Sequence, residues 1–318
     1  MQPNKHWTEE KEHNGALLGI RIMFFLYALG GKPLFEIILF PVMLVYYLAN
    51  PKKRSYSSYF LSRVREYRRR EQLPEKRYYV FRHFLSFAHM MLDKLLAWRG
   101  GFKLNKNVFA TEECWNNLND FSSGGKVILC SHLGNIEVLR ALQFSMKTTV
   151  VNAVVFTENS RQFSKIYKAI DPDSSLNLIT TQSFGPDTAI MLQEKISKGE
   201  VVAIVGDRIS PQKGREDQYR VTKGLFMGEM CEFPEGPFIL SALLKCKVQL
   251  LFGLRNPDTG KLDIICENFA HPVELSRKNR REDLQKYVQM YASRLEYYAI
   301  RYPYQWFNFY DFFKRDKN

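Results

Sequence analysis

The run Val127-Ile128-Leu129-Cys130 leaves this chain little freedom. It is apolar throughout and β-branched at its start. It is also too short for a buried helix, so it reads as a strand with no face left for water. Ser122-Ser123-Gly124-Gly125 marks a turn before it. After it come Ser131-His132-Leu133-Gly134-Asn135 and then a helical pattern, Ile136, Val138, Leu139 and Leu142. A strand covered on both faces belongs in a sheet with helices on either side. The rest of the chain repeats that texture. Strand-like runs fall at 148–156, 176–180, 200–205, 248–254 and 262–267, and helical patterns at 78–98, 159–170, 185–198, 236–245 and 280–300. The expected fold is α/β, with a mixed central sheet flanked by helices.

In such sheets ligands bind beyond the carboxyl ends of strands, and His132 stands at one. Glu137 follows five residues later. On one regular helix that offset turns the two side chains about 140° apart. With His132 in the loop and Glu137 in the first helical turn, the carboxylate can fold back onto the imidazole and fix its tautomer. The run 201–205 feeds Gly206-Asp207-Arg208, a second strand-to-loop edge. If the two strands share a sheet, both edges face one crevice. Arg208 then suits an anionic or carbonyl oxygen, with Asp207 orienting it; a plain structural ion pair is the alternative. Backbone donors at Gly134 and Asn135 are candidates for an oxyanion. Phe233-Pro234-Glu235-Gly236-Pro237 is a rigid turn before a helix, so Glu235 and Gly236 sit where free N–H groups gather. Ser131 adjoins His132, and neighbours on a strand end point to opposite sides, which disfavours a serine nucleophile.

The amino-terminal region has a different character. Residues 16–29 and 34–49 are apolar except for Arg21 and Glu36, with Gly30-Gly31-Lys32-Pro33 between them. Each run is shorter than the ~20 residues of a usual membrane span, which suits a hydrophobic helical hairpin lying in one leaflet or one helix spanning with tilt. A buried helical hairpin of a soluble domain is the alternative, disfavoured because the runs are apolar nearly all round. The segment 52–82 follows with eleven cations against Glu66, Glu71 and Glu75, more than half of the chain's net charge of +13. Basic residues directly after apolar helices indicate a cytoplasmic, anionic membrane surface. No zinc-finger or RNA-binding signature accompanies the charge, so nucleic acid is not an expected partner. The division expected is 1–50, membrane-associated helices, and 51–318, the main domain, including a basic helical segment at 52–100. Five scattered cysteines without C-x-x-C spacing suggest buried, reduced thiols and neither disulfides nor a zinc site. His83 and His89 are six residues apart and are assigned to packing or surface. The aromatic tail 302–310 reads as a cap over the core, as the wall of an apolar acyl pocket or as a segment resting on the membrane.

His132-x4-Glu137, Gly206-Asp207-Arg208, Phe233-Pro234-x-Gly236-Pro237 and Pro303-x-Gln305-Trp306-Phe307 occur in that order. Together they resemble the lysophospholipid acyltransferase superfamily, most of all its lipid A lauroyl/myristoyl acyltransferase branch. His6-Trp7-Thr8-Glu9 and Trp98-Arg99-Gly100 look like the sub-branch tied to aryl-polyene and flexirubin lipids. The resemblance implies a glycerolipid acyltransferase-like fold on the cytoplasmic face of a bacterial inner membrane. It also implies acyl transfer from an acyl-carrier-protein or CoA thioester to a lipid or glycolipid hydroxyl, without metal or cofactor. His132 is then the general base and Glu137 its partner, with Asp207 and Arg208 the polar motif at the second strand edge. The glycerolipid members' phosphate-binding block is not matched around Arg161. Two other classes remain: a thioesterase or esterase using the same pair, and a basic membrane-binding protein without catalysis.

Overall fold

The alternation of side chains along the central strand explains the layering. The computed structural model describes residues 15–98, 108–135, 150–156, 176–181, 186–209 and 220–314. The strand β2 (Lys126–Cys130) is buried along its whole length. Val127 and Leu129 enter one core cluster and Ile128 and Cys130 another, on opposite faces of the sheet. The first face is covered by α2 (Pro51–Arg70), α5 (Pro186–Ser197), α6 (Gly236–Leu244) and α7 (Arg280–Arg301), the second by α4 (Glu112–Asn119).

The other strands are β1 (Val108–Ala110), β3 (Val151–Phe156), β4 (Leu176–Thr181), β5 (Val201–Val205), β8 (Lys247–Arg255) and β9 (Leu262–Ala270), and with β2 they form one sheet in the order β1-β9-β8-β2-β5-β3-β4. Strands β8, β2, β5, β3 and β4 run parallel; β9 is antiparallel to β8 and carries β1 alongside it. The sheet is therefore mixed, as expected. Strands β2 and β5 are direct neighbours, with Cys130 opposite Val205.

Three features were not expected. One is the hairpin of β6 (Val221–Phe226) and β7 (Glu229–Pro234). It turns through Met227 (φ 50°) and Gly228 (φ 82°), both left-handed, as a two-residue hairpin turn of primed type requires. Methionine at the first of these positions hides the signal that Asn-Gly would give. The second is the pair β1–α4, too short for periodicity to register. Thr111 caps α4 by accepting the Cys114 N–H at 3.1 Å. The third is Lys126, buried at the start of β2 with its ammonium donating to Asn117 O (3.0 Å) and Leu118 O (2.8 Å) at the end of α4. Burial lowers it to about 8.

Helix α1 (Gly15–Ala49) breaks at Gly31 (φ 63°, ψ −157°), inside the expected Gly-Gly interruption. In its second half Phe35, Leu39 and Met43 recur every fourth residue and pack on Phe84, Ala88 and Leu92 of α3 (Val80–Trp98). Ile37 (71% exposed), Val45 (67%) and Leu48 (59%) face outward. Among the described residues no single helix is long and apolar enough to cross a membrane. The segments Leu34–Ala49 and Pro51–Arg70, bent by 96°, meet that test only as a pair. The five cysteines are free and buried, and burial raises all five thiols. The helix expected at 159–170, Arg161, the polar first 14 residues and Arg99-Gly100 lie outside the described residues.

Candidate functional site

His132 and Asp207 each lie two residues beyond the register pair Cys130–Val205 of adjacent parallel strands. That equal offset brings them together. The His132 backbone N–H donates to Asp207 Oδ2 at 2.9 Å, and His132 Nδ1 lies 2.8 Å from Asp207 Oδ1. The indole Nε1–H of Trp306 donates to Asp207 Oδ2 at 3.3 Å. Asp207 is buried, and burial by itself would push its carboxyl up. The charge and hydrogen bonds of His132, helped by nearby Arg208, outweigh that and hold it below the usual carboxylate range. An ionised carboxylate only accepts, so the proton sits on Nδ1 and Nε2 carries the lone pair. The imidazole side chain is 33% exposed while the Asp207 side chain is sealed. Such an arrangement can orient a general base: a buried anion fixes the tautomer and would stabilise an imidazolium.

The carboxyl-terminal tail builds the rest of the site. Phe307 N–H donates to His132 O (3.1 Å), and Gly134 N–H donates to Gln305 O (2.8 Å). Leu133 and Trp306 form an antiparallel bridge between them. The Gln305 amide clasps the end of β8: Arg255 N–H donates to its Oε1 (2.8 Å), and its Nε2–H donates to Arg255 O (2.7 Å). Tyr291 of α7 donates its hydroxyl to Cys130 O at 2.8 Å. Tyr310 donates to Asp207 O at 3.3 Å. Gly134 has φ +79°, and a Cβ there would stand 2.2 Å from Gly253 O, so no other residue fits.

The expected site residues are thus placed as follows. His132 and Asp207 are in direct contact. Arg208 is beside them, its Nη2–H donating to Phe307 O (2.8 Å) and its guanidinium 5.6 Å from the Tyr310 ring. Asp207 holds His132 through both carboxylate oxygens and accepts from Trp306 through one of them, and its charge also acts on Arg208. The amides of Gly134 and Asn135 are spent on Gln305 O and Gly253 O (2.8 Å each), which removes them as oxyanion donors. Glu235 accepts from Thr222 Oγ1 at 2.9 Å at the foot of the β6–β7 hairpin, and Gly236 opens α6. Among the described residues no hydrogen bond links Glu235 or Gly236 to the dyad. Glu137 lies outside the described residues.

Sequence reasoning missed the Asp207–His132 contact and the roles of Trp306 and Tyr310. A Gly-Asp-Arg directly after a buried strand was the available signal, but strand adjacency is not written in chain order. Among the described residues no cluster of three or more His, Cys, Asp or Glu is placed to hold a metal ion. No protein-family model matches the chain, and no curated protein sequence matches it.

Proposed function

We propose that the protein is a membrane-associated acyltransferase with a glycerolipid acyltransferase-like fold. It moves an acyl group from an acyl-carrier-protein or CoA thioester to a hydroxyl of a lipid or glycolipid. The observation that carries this reading is the dyad: a partly exposed imidazole whose Nδ1–H is held by a sealed carboxylate. Nε2 of His132 takes the proton of the attacking hydroxyl, the alkoxide adds to the thioester carbonyl, and the tetrahedral intermediate expels the thiolate. The proton gained by His132 then goes to the departing sulfur. Positioned base catalysis of this kind contributes ~10²–10⁴-fold. Arg208, whose charge acts on Asp207, is the cation assigned to the oxyanion. The resemblance adds Glu137 beside His132, and the same assay tests its role.

The amino-terminal region suits the acceptor's phase. In this reading the region 1–50 supplies the hydrophobic, membrane-associated helices and 51–318 the acyltransferase domain. The outward apolar residues of α1 precede Lys52, Lys53 and Arg54 at the start of α2, which favours an anionic lipid surface on the cytoplasmic side of the inner membrane.

The test is transfer from acyl thioesters, on carrier protein and on CoA, to lipid hydroxyl acceptors by the purified full chain, with products resolved by mass spectrometry. His132→Ala abolishes transfer, and Asp207→Asn lowers kcat by about 10²-fold or more while the fold is kept. Full activity in His132→Ala overturns the reading. Free fatty acid formed in place of acylated acceptor moves it to a thioesterase.

A further inference from the structure

Behind the dyad runs a second buried chain of hydrogen bonds that proton transfer does not use. Ser57 on α2 and His83 on α3 are fully buried. Ser57 Oγ lies 2.8 Å from His83 Nδ1, and His83 Nε2 lies 3.0 Å from Trp306 O. A carbonyl can only accept, so Nε2 carries the proton and Nδ1 accepts from the serine hydroxyl. Only one tautomer satisfies all three groups. Trp306 in turn is fully buried, its ring within 5.0 Å of those of Phe60, Phe226 and Phe312. Its indole donates to Asp207, and its neighbour Phe307 donates to His132 O. The path therefore goes from α2 and α3, which carry and brace the apolar helix α1, to both members of the dyad.

We propose that Ser57 and His83 are positioning residues: from the two basal helices they fix the Trp306 main chain, and Trp306 thereby holds Asp207 in the orientation that grips His132. The proposal takes the dyad to be the base of the acyl transfer proposed above. Neither residue touches the reacting atoms. Its consequence is that a displacement of α2 against α3, the helices adjoining the membrane-facing segment, is felt at the base. The two bonds at His83 are buried and require the same tautomer, so they act together.

The experiment uses the full chain with labelled histidine and follows the His132 Nδ1 proton by NMR, beside the kinetics of transfer. In the parent this proton is held by Asp207 and protected from exchange with water. Ser57→Ala and His83→Leu are expected to weaken that protection and to lower kcat about tenfold or more with KM little changed, as for a misplaced base. His83→Gln keeps an N–H able to reach Trp306 O and is expected to restore both. Circular dichroism and melting confirm that each variant is folded; Ser57→Ala, the smallest change, stands if His83→Leu does not fold. Folded variants whose His132 proton and kcat match the parent overturn the proposal, as does a parent whose His132 proton is unprotected. A protected proton that responds to these variants in a protein without transferase activity leaves the coupling intact and overturns the acyl-transfer reading.

Discussion

His83 shows how much a single buried ring can govern. Burial lowers it to about 4 from an ordinary 6.5, and the Trp306 carbonyl opposes that shift only in part. The groups packed on it are the Ser57 hydroxyl, that carbonyl and the rings of Phe60, Phe307 and Phe309. A histidine depressed in the fold stabilises it fully above its unfolded value, and the contribution drains away as pH falls through the folded value. Between pH 6.5 and about 4 the protein should therefore lose stability on the order of 3 kcal/mol through this ring. Denaturant titrations across that window will show a steep slope in the parent and a shallower one in His83→Gln, which has no ring to protonate. Equal slopes would place the acid sensitivity elsewhere. In the sequence His83 was legible only as a non-ligand, because nothing local says that a serine 26 residues upstream and a carbonyl 223 residues downstream meet it.

At the scale of elements, α1 and α2 divide the work that composition had assigned to one region. The apolar run after Gly31 is not uniformly exposed: the Phe35, Leu39 and Met43 stripe belongs to α3, and the opposite side is left bare. Ile37→Glu combined with Val45→Glu changes only that bare side. The double variant should keep its melting temperature within a degree or two and bind anionic phosphatidylglycerol vesicles at least tenfold more weakly in flotation, since charge there opposes burial in the acyl boundary. Undiminished flotation would show that the basic segment suffices. The strands and the long helices were readable because each keeps its period for several residues. The β6–β7 hairpin was not, since it rests on a Met-Gly turn and on packing against α7. Nor was α4, whose cap and last carbonyls are fixed by Thr111 and the buried Lys126.

For the whole molecule, the layers followed from pattern while the site followed from adjacency. Buried runs that alternate with helices specify an α/β sheet, but not that β2 lies beside β5. It is that neighbourhood which gives His132 its carboxylate. The tail was legible as a cap and illegible as a brace, because Gln305, Trp306 and Phe307 act through main-chain bonds to Arg255, Gly134 and His132 that composition does not encode. The distribution of sulfur has a practical consequence. All five thiols are sheltered, with Cys114 and Cys246 pushed up to about 11, and they sample both core faces of the sheet. Alkylation by iodoacetamide should therefore be negligible in the native protein and reach all five sites on unfolding. The chain thus carries its own folding clock: the rate of mass gain from alkylation under native conditions reports how often the core opens, cysteine by cysteine, with no residue changed.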